Sequence, residues 1–213
     1  MANSEKTTVD EAVRRMIEQY LELLEKRVRS ELEGRGIKVL DIGSSFYFEK
    51  ERKVRYNLLI EVEIEVRMKA SYEVLYDTCR KIVGERVAQG KVPKDMFDLE
   101  VKKCIDEKIR ELDDEYLKPP YYFEFRSRLF DAQIATRSDN EGGCKVYRLV
   151  LSVTYSPLIF LRQSTTFDDM VRGLDEEASM VASFVEKMMR IAKELKEEAK
   201  ASVERARKIV FRL

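Results

Sequence analysis

Glu61, Glu63 and Glu65 stand at alternate positions of one apolar-patterned run. On a strand they project from one face, about 7 Å apart at each step. Hard divalent cations take carboxylate ligands, so with Asp41 on the preceding strand the row is a candidate Mg²⁺ or Mn²⁺ site. That chemistry would be metal-dependent phosphodiester hydrolysis. The usual nuclease arrangement follows its acids with acid-x-Lys. Glu63-Ile64-Glu65 or Glu65-Val66-Arg67 holds that place here, with Lys69 only nearby. The plainer reading is a solvated sheet face whose acids pair across strands with Arg126, Arg128 or Arg148. The plainer reading is favoured, because the matching positions of the later hairpin are Ser152, Thr154 and Ser156.

Tyr121, Tyr122, Phe123 and Phe125 lie beside Arg126 and Arg128, a mixture that can stack bases and hold phosphates. Yet the aromatics at 121, 123 and 125 share one strand face and the arginines the other, which is what a core strand with a wet outer face produces. A second basic group, Arg205, Arg207 and Lys208, closes the chain together with Arg212. Positive charge there complements a helix dipole without any anionic partner. Nucleic-acid binding through these residues is therefore a weaker expectation.

Histidine is absent. That removes Ser-His-Asp and Cys-His mechanisms and histidine-ligated metals. Gly34-Arg35-Gly36 runs on into Ile37-Lys38-Val39 and lacks a phosphate-loop fingerprint. No cofactor is implied. Lysine plus arginine equals aspartate plus glutamate at 40 each, so no global field draws in nucleic acid or an anionic membrane. Charged residues reach 38%, with few amides, the pattern of heat-adapted proteins. The apolar run Leu158–Leu161 is too short to span a bilayer, and the start carries no apolar leader, so the expected location is cytoplasmic. Three cysteines argue against a disulfide framework. Cys79 and Cys104 fall on apolar helix stripes and read as buried thiols; Cys144 follows Gly142-Gly143 at a turn.

The elements that must hold these residues follow from periodicity. A first helix is capped by Thr8 with Glu11, carries the stripe Val13, Ile17, Tyr20, Leu24, Val28, Leu32, and stops at Gly34 and Gly36. Two strands follow around a charged turn at 49–53, and a second helix runs from about Ser71 to Gly90. Pro93 and Asp95 open a third helix, which Pro119-Pro120 close. A third strand leads from Tyr121 to Leu129, Ser138–Gly143 forms a loop, and a fourth strand carries Tyr147 to Tyr155. Thr166 and Asp169 form a capping box for the final helix.

The order is αββα followed by αββα. Asp10–Glu25 overlays Asp98–Asp113 without gaps, with Val13/Val101, Ile17/Ile105 and Leu24/Leu112 identical, and Tyr56 overlays Tyr147. The expected fold class is α+β: one pseudo-twofold domain over 1–213, with repeats at about 8–90 and 94–213. They would build a four-stranded antiparallel sheet, with helices on one face and a long C-terminal helical arm from 175 to 213. That arm repeats at three and four through Ala178, Val181, Val185, Met188, Ala192, Leu195, Ala199, Ser202, Ala206, Ile209 and Leu213. Its small residues allow close backbone approach, and its outer part exceeds what a small domain covers. The expected function is non-enzymatic: a homo-oligomer, most simply a dimer, joined through Val185 and the later residues of this stripe.

Overall fold

The computed structural model describes residues 2–50, 53–162 and 164–210. The protein is α+β. Its elements are α1 (Ala2–Gly34), β1 (Val39–Lys50), β2 (Lys53–Ser71), α2 (Tyr72–Ala88), α3 (Phe97–Tyr116), β3 (Glu124–Arg126), β4 (Phe130–Glu141), β5 (Cys144–Tyr155), β6 (Leu158–Phe160), α4 (Phe167–Val171) and α5 (Leu174–Val210). The strands form one antiparallel sheet in the order β1-β2-β5-β4-β3, with β6 also on β2. Contacts divide the chain into two compact units. The first holds Met1–Glu63, Phe123–Gln133 and Leu151–Leu213; the second holds Ile64–Tyr122 and Ile134–Val150. Each unit draws on both halves of the sequence.

In the first unit, α1 and α5 pack together and α1 also lies on β1. The α1 stripe is sealed: Ile17, Leu24, Val28 and Leu32 have no exposed surface. The helix stops where Gly36 takes φ 73°. There the Ile37 N–H donates to Leu32 O and the Gly36 N–H to Glu33 O, a Schellman closure that satisfies the last carbonyls. Along β2, Val54, Tyr56, Leu58, Ile60 and Val62 are buried at every second position, as a strand with one covered face requires. Four of the six strands carry most of the sheet. The extra two are three-residue pieces: β3 on the edge of β4, and β6 pairing Lys53↔Phe160 to Arg55↔Leu158. Pro157, which has no N–H to give, separates β6 from β5.

In the second unit α2 packs on α3. Ser71 caps α2 by accepting from the Val74 N–H. Gly90, at φ 68°, closes it in the manner of Gly36, with Lys91 N–H to Arg86 O and Gly90 N–H to Val87 O. The core between these helices is small: Cys79, Val83 and Val101 are buried, with Val87, Phe97, Cys104 and Ile105 partly so.

Several expectations are corrected. Cys79 and Cys104 are joined in a disulfide, with Cα atoms 5.7 Å apart, and are not free thiols; the odd cysteine is Cys144, half-exposed. The segment Ser138–Glu141 is strand, not loop, and the turn is only Gly142-Gly143 at φ 53° and 76°, the two left-handed residues of a tight hairpin. The expected strand from Tyr121 to Leu129 shrinks to the three residues of β3, and Phe130–Glu141 forms a separate strand, β4, that pairs antiparallel with it. The helical backbone begins at Ala2, which puts Thr8 inside α1 and leaves it no capping position. The Thr166–Asp169 capping box forms, but it caps the five-residue α4; the long helix starts afresh at Leu174 after Gly173. The charged turn at 49–53 falls partly outside the described residues.

Candidate functional site

The longest element is the final helix, α5. α5 runs 37 residues, about 55 Å at 1.5 Å per residue. Its first turn carries Asp175, Glu176 and Glu177, acids that suit the positive end of the helix dipole. Glu177 is the anchor. The hydroxyls of Tyr20 from α1 and Tyr56 from β2 both donate to its carboxylate, and Tyr155 from β5 joins them. The three rings meet edge-on, with centroids 6.3 Å apart for Tyr20–Tyr56 and 6.0 Å for Tyr56–Tyr155. Burial first, and then the charge of Glu177, pushes all three phenols well above their ordinary pKa of 10. They are donors locked onto a carboxylate, not proton carriers at neutral pH. Arg27 pairs with Asp175 at 2.8 Å, and Arg35, just past the end of α1, reaches Glu186 at 2.8 Å and Ser183 at 3.0 Å.

Beyond that anchor the stripe is sealed in stages. Ala178, Val181, Val185 and Ala192 have no exposed surface and Met188 is 2% exposed. Leu195 and Ala199 are half-buried, and Ser202 is exposed, its hydroxyl turned back onto Glu198 O at 2.9 Å. The side chains of Ala206 and Ile209, the whole of Leu213, and the basic Arg205, Arg207 and Lys208 lie outside what the structure describes. No described helix is long and apolar enough to cross a membrane.

Asp41 sits opposite Glu61 in the β1–β2 register, and its side chain accepts from the Ile42 N–H. Glu63 pairs with Lys38 at 2.8 Å. In the second unit Glu65 lies by Tyr121, whose hydroxyl is pushed up to about 12 by burial and then by that charge. Among the described residues no group of three acids, cysteines or histidines is placed to hold a metal ion.

The expected strand with one buried aromatic face does not form: only Glu124–Arg126 is strand, and all three residues, Phe125 among them, are exposed. Phe125 packs on Phe184 of α5 with centroids 5.5 Å apart, and Phe184 stacks on Phe130 at 4.0 Å. Arg126 turns the other way and pairs with Glu124, and Arg128 is exposed. Arg126 and Glu124 border a shallow polar cavity of about 260 Å³ with Asp131, Gln133, Ser152 and Thr154. With acids of its own beside the arginine, the cavity is a poor host for phosphate. Among the described residues Tyr122 is the most exposed large hydrophobic, at 82%.

Three features escaped the sequence reading. One is the Glu177 cluster, whose members are scattered from Tyr20 to Glu177. Another is the burial of Arg148, read from the sequence only as a cross-strand partner for the row of acids: it is 1% exposed on β5 and bonded to Asp139 at 3.0 Å and Glu141 at 2.5 Å within its own hairpin. The third is a second cavity of about 390 Å³ in the second unit, bordered by Met68, Ala70, Val74, Leu75 and Leu112, with Lys108 and Glu111 paired at its rim. Alternation could have flagged Arg148, because it stands among apolar neighbours on both sides. No family model, curated protein or solved structure matches the chain.

Proposed function

We propose that this chain is a homo-oligomeric assembly or adaptor protein that joins a second copy of itself through the outer part of α5. The observation that carries the reading is the course of burial along one helix face. It is complete to Ala192, falls to half at Leu195 and Ala199, and the three-and-four spacing of small and apolar residues continues past that point. Arg35, at the end of α1, is already level with Glu186, so α1 does not flank the later turns. Alanines at alternate inner positions let two helices approach closely, and a twofold axis makes one patch its own complement.

The same reading includes an internal duplication. In the strand order the second strand of each hairpin, β2 and β5, lies at the centre, with β1 and β4 outside them. The helix pairs are α1 with α5 and α2 with α3, so the first helix of one copy meets the last of the other. A twofold-related pair of αββα units accounts for both facts. We place the assembly in the cytoplasm of a heat-adapted cell; the 38% charge content and an interhelical disulfide both suit that setting.

Light scattering tests the contact. The full chain is expected to show a multiple of the 25.1 kDa protomer mass, and both a truncation after Lys193 and Leu195→Glu with Ala199→Glu to lower it. Equal mass in all three, with circular dichroism unchanged, removes the α5 contact.

A further inference from the structure

β1 is an edge of the sheet: it pairs with β2 on one side and with no strand on the other among the described residues. An edge strand presents a row of backbone N–H and C=O groups ready to bond another strand, and proteins that stay apart blunt such edges with charge, brevity or cover. The other exposed edges here are blunted. β3 is three residues long and carries Glu124 and Arg126. The part of β4 past β3 carries Arg137, Asp139 and Glu141, and the part of β2 past β1 carries Glu65, Arg67 and Lys69. β1 is different. It is 12 residues long, and from Ile42 to Phe48 it holds no charge and no proline.

We propose that this edge is a second self-contact, in which β1 pairs antiparallel with β1 of another copy around a twofold axis at Ser44. The register follows from charge and size. In the register β1 makes with β2, Ile42, Ser44, Phe46 and Phe48 face with buried Ile60, Leu58, Tyr56 and Val54, while Asp41, Gly43, Ser45 and Tyr47 point to the other face. A twofold axis normal to the sheet keeps each face on its own side, so directly opposed residues must have the same parity. Centring on Ser44 sets Ile42 opposite Phe46, Leu40 opposite Phe48, Asp41 opposite Tyr47 and Gly43 opposite Ser45. Apolar meets apolar at Ile42/Phe46 and Leu40/Phe48, and from Val39 to Glu49 no like charges face each other; Lys50 falls opposite Lys38, which lies just before β1. Centring on Ser45 would set Asp41 against Glu49, and centring on Phe46 would set Ile42 against Lys50. Tyr47 and Phe48, 50% and 40% exposed, would lose water in the favoured pairing. The occupant is thus an extended strand of this same sequence, a different partner surface from the helix face of α5.

The test uses Gly43→Lys with Ser45→Lys in the full chain. Both positions are exposed, and a Cβ on Gly43 meets nothing within 4 Å, so the fold tolerates the pair. The two ammonium groups would stand directly opposite each other at both ends of the twofold, weakening this association by about tenfold or more. Ser44→Cys, in a Cys144→Ser background, gives the independent measurement. Residues opposed across a strand pair have Cα atoms about 4.5–5.5 Å apart, within disulfide reach, so a covalent dimer is expected on a non-reducing gel. The chain truncated after Lys193 should keep both responses, which separates this contact from that of α5. A full chain that is monomeric at high concentration, or an association untouched by the lysines together with no cross-link at Ser44, overturns the proposal.

Discussion

The two units solve the same problem, holding a pair of helices, by different means. In the first, α1 and α5 bury long apolar stripes: Ile17, Leu24, Val28 and Leu32 against Ala178, Val181, Val185 and Ala192. They add a carboxylate that takes tyrosine hydroxyls from α1 and β2. In the second, α2 and α3 bury little beyond Cys79, Val83 and Val101, and a covalent bond joins them at the centre of that small core. Where apolar area is large, packing suffices; where it is small, restricting the unfolded chain replaces it. Both proposed contacts, the outer part of α5 and the edge strand β1, belong to the first unit.

The largest effect that can break this comparison is loss of the cross-link. Cys79→Ala with Cys104→Ala should destabilise by about 3 kcal/mol, as expected for a loop closed over a sequence separation of 25. Amide exchange should quicken in α2 and α3 while α1 and α5 keep their protection. Uniform loss of protection, or free thiols counted at both positions in the native chain, would end the distinction.

Next in size is Tyr56→Phe in the first unit. A buried hydrogen bond to a charged group contributes about 1.5–3 kcal/mol, and that loss should appear in urea unfolding at neutral pH. The titration sharpens it. Folding raises the pKa of Tyr56, chiefly by burial and then through Glu177. The unfolded tyrosine therefore ionises near its ordinary value of 10 while the folded one holds its proton. Stability is full below pH 10 and falls as pH rises beyond it. The Phe variant should show a shallower alkaline loss; a slope equal to that of the parent would remove Tyr56 from the account.

The smallest effect belongs to the second unit. Asp113 accepts from Tyr147 at 2.8 Å and pairs with Lys145 at 2.6 Å. Burial pushes its carboxyl up, but the bonds from Lys145 and Tyr147 outweigh that and leave it below its ordinary 3.8. A depressed carboxyl contributes stability above the unfolded value, and that contribution is lost as pH falls through the folded one. Asp113→Asn should cost about 0.5 kcal/mol near pH 7, given the partial exposure of the pair. It should also reduce the loss of stability below about pH 4. Identical acid unfolding curves would show the pair to be inert.

Much of the architecture could be read from the residues, and the failures have definite causes. The stripe of α5, the alternation of Tyr56 to Val62 and the capping box at Thr166 depend on spacing within one element, so they are legible. Ser138–Glu141 looked like a loop because a run of Ser, Asp, Asn and Glu has the composition of a loop, whereas here Asp139 and Glu141 pair with buried Arg148 across the hairpin. The disulfide was missed because an odd cysteine count permits one bond and a spare. Only the packing of α2 on α3 brings Cys79 and Cys104 within reach. Glu177 was missed for the same reason, since its tyrosines come from α1, β2 and β5.

By itself the sequence determined the main helices and the strands β1, β2 and β5, which face of α1 and of β2 is apolar, and that no histidine or phosphate-loop chemistry is available. These properties depend on the backbone period and the side-chain inventory, which need no partner. The tertiary structure decided how far along the described part of α5 the stripe is sealed and which strand was left with an uncharged stretch at an edge. Those depend on which distant surfaces come together, and burial is a property of pairs of surfaces.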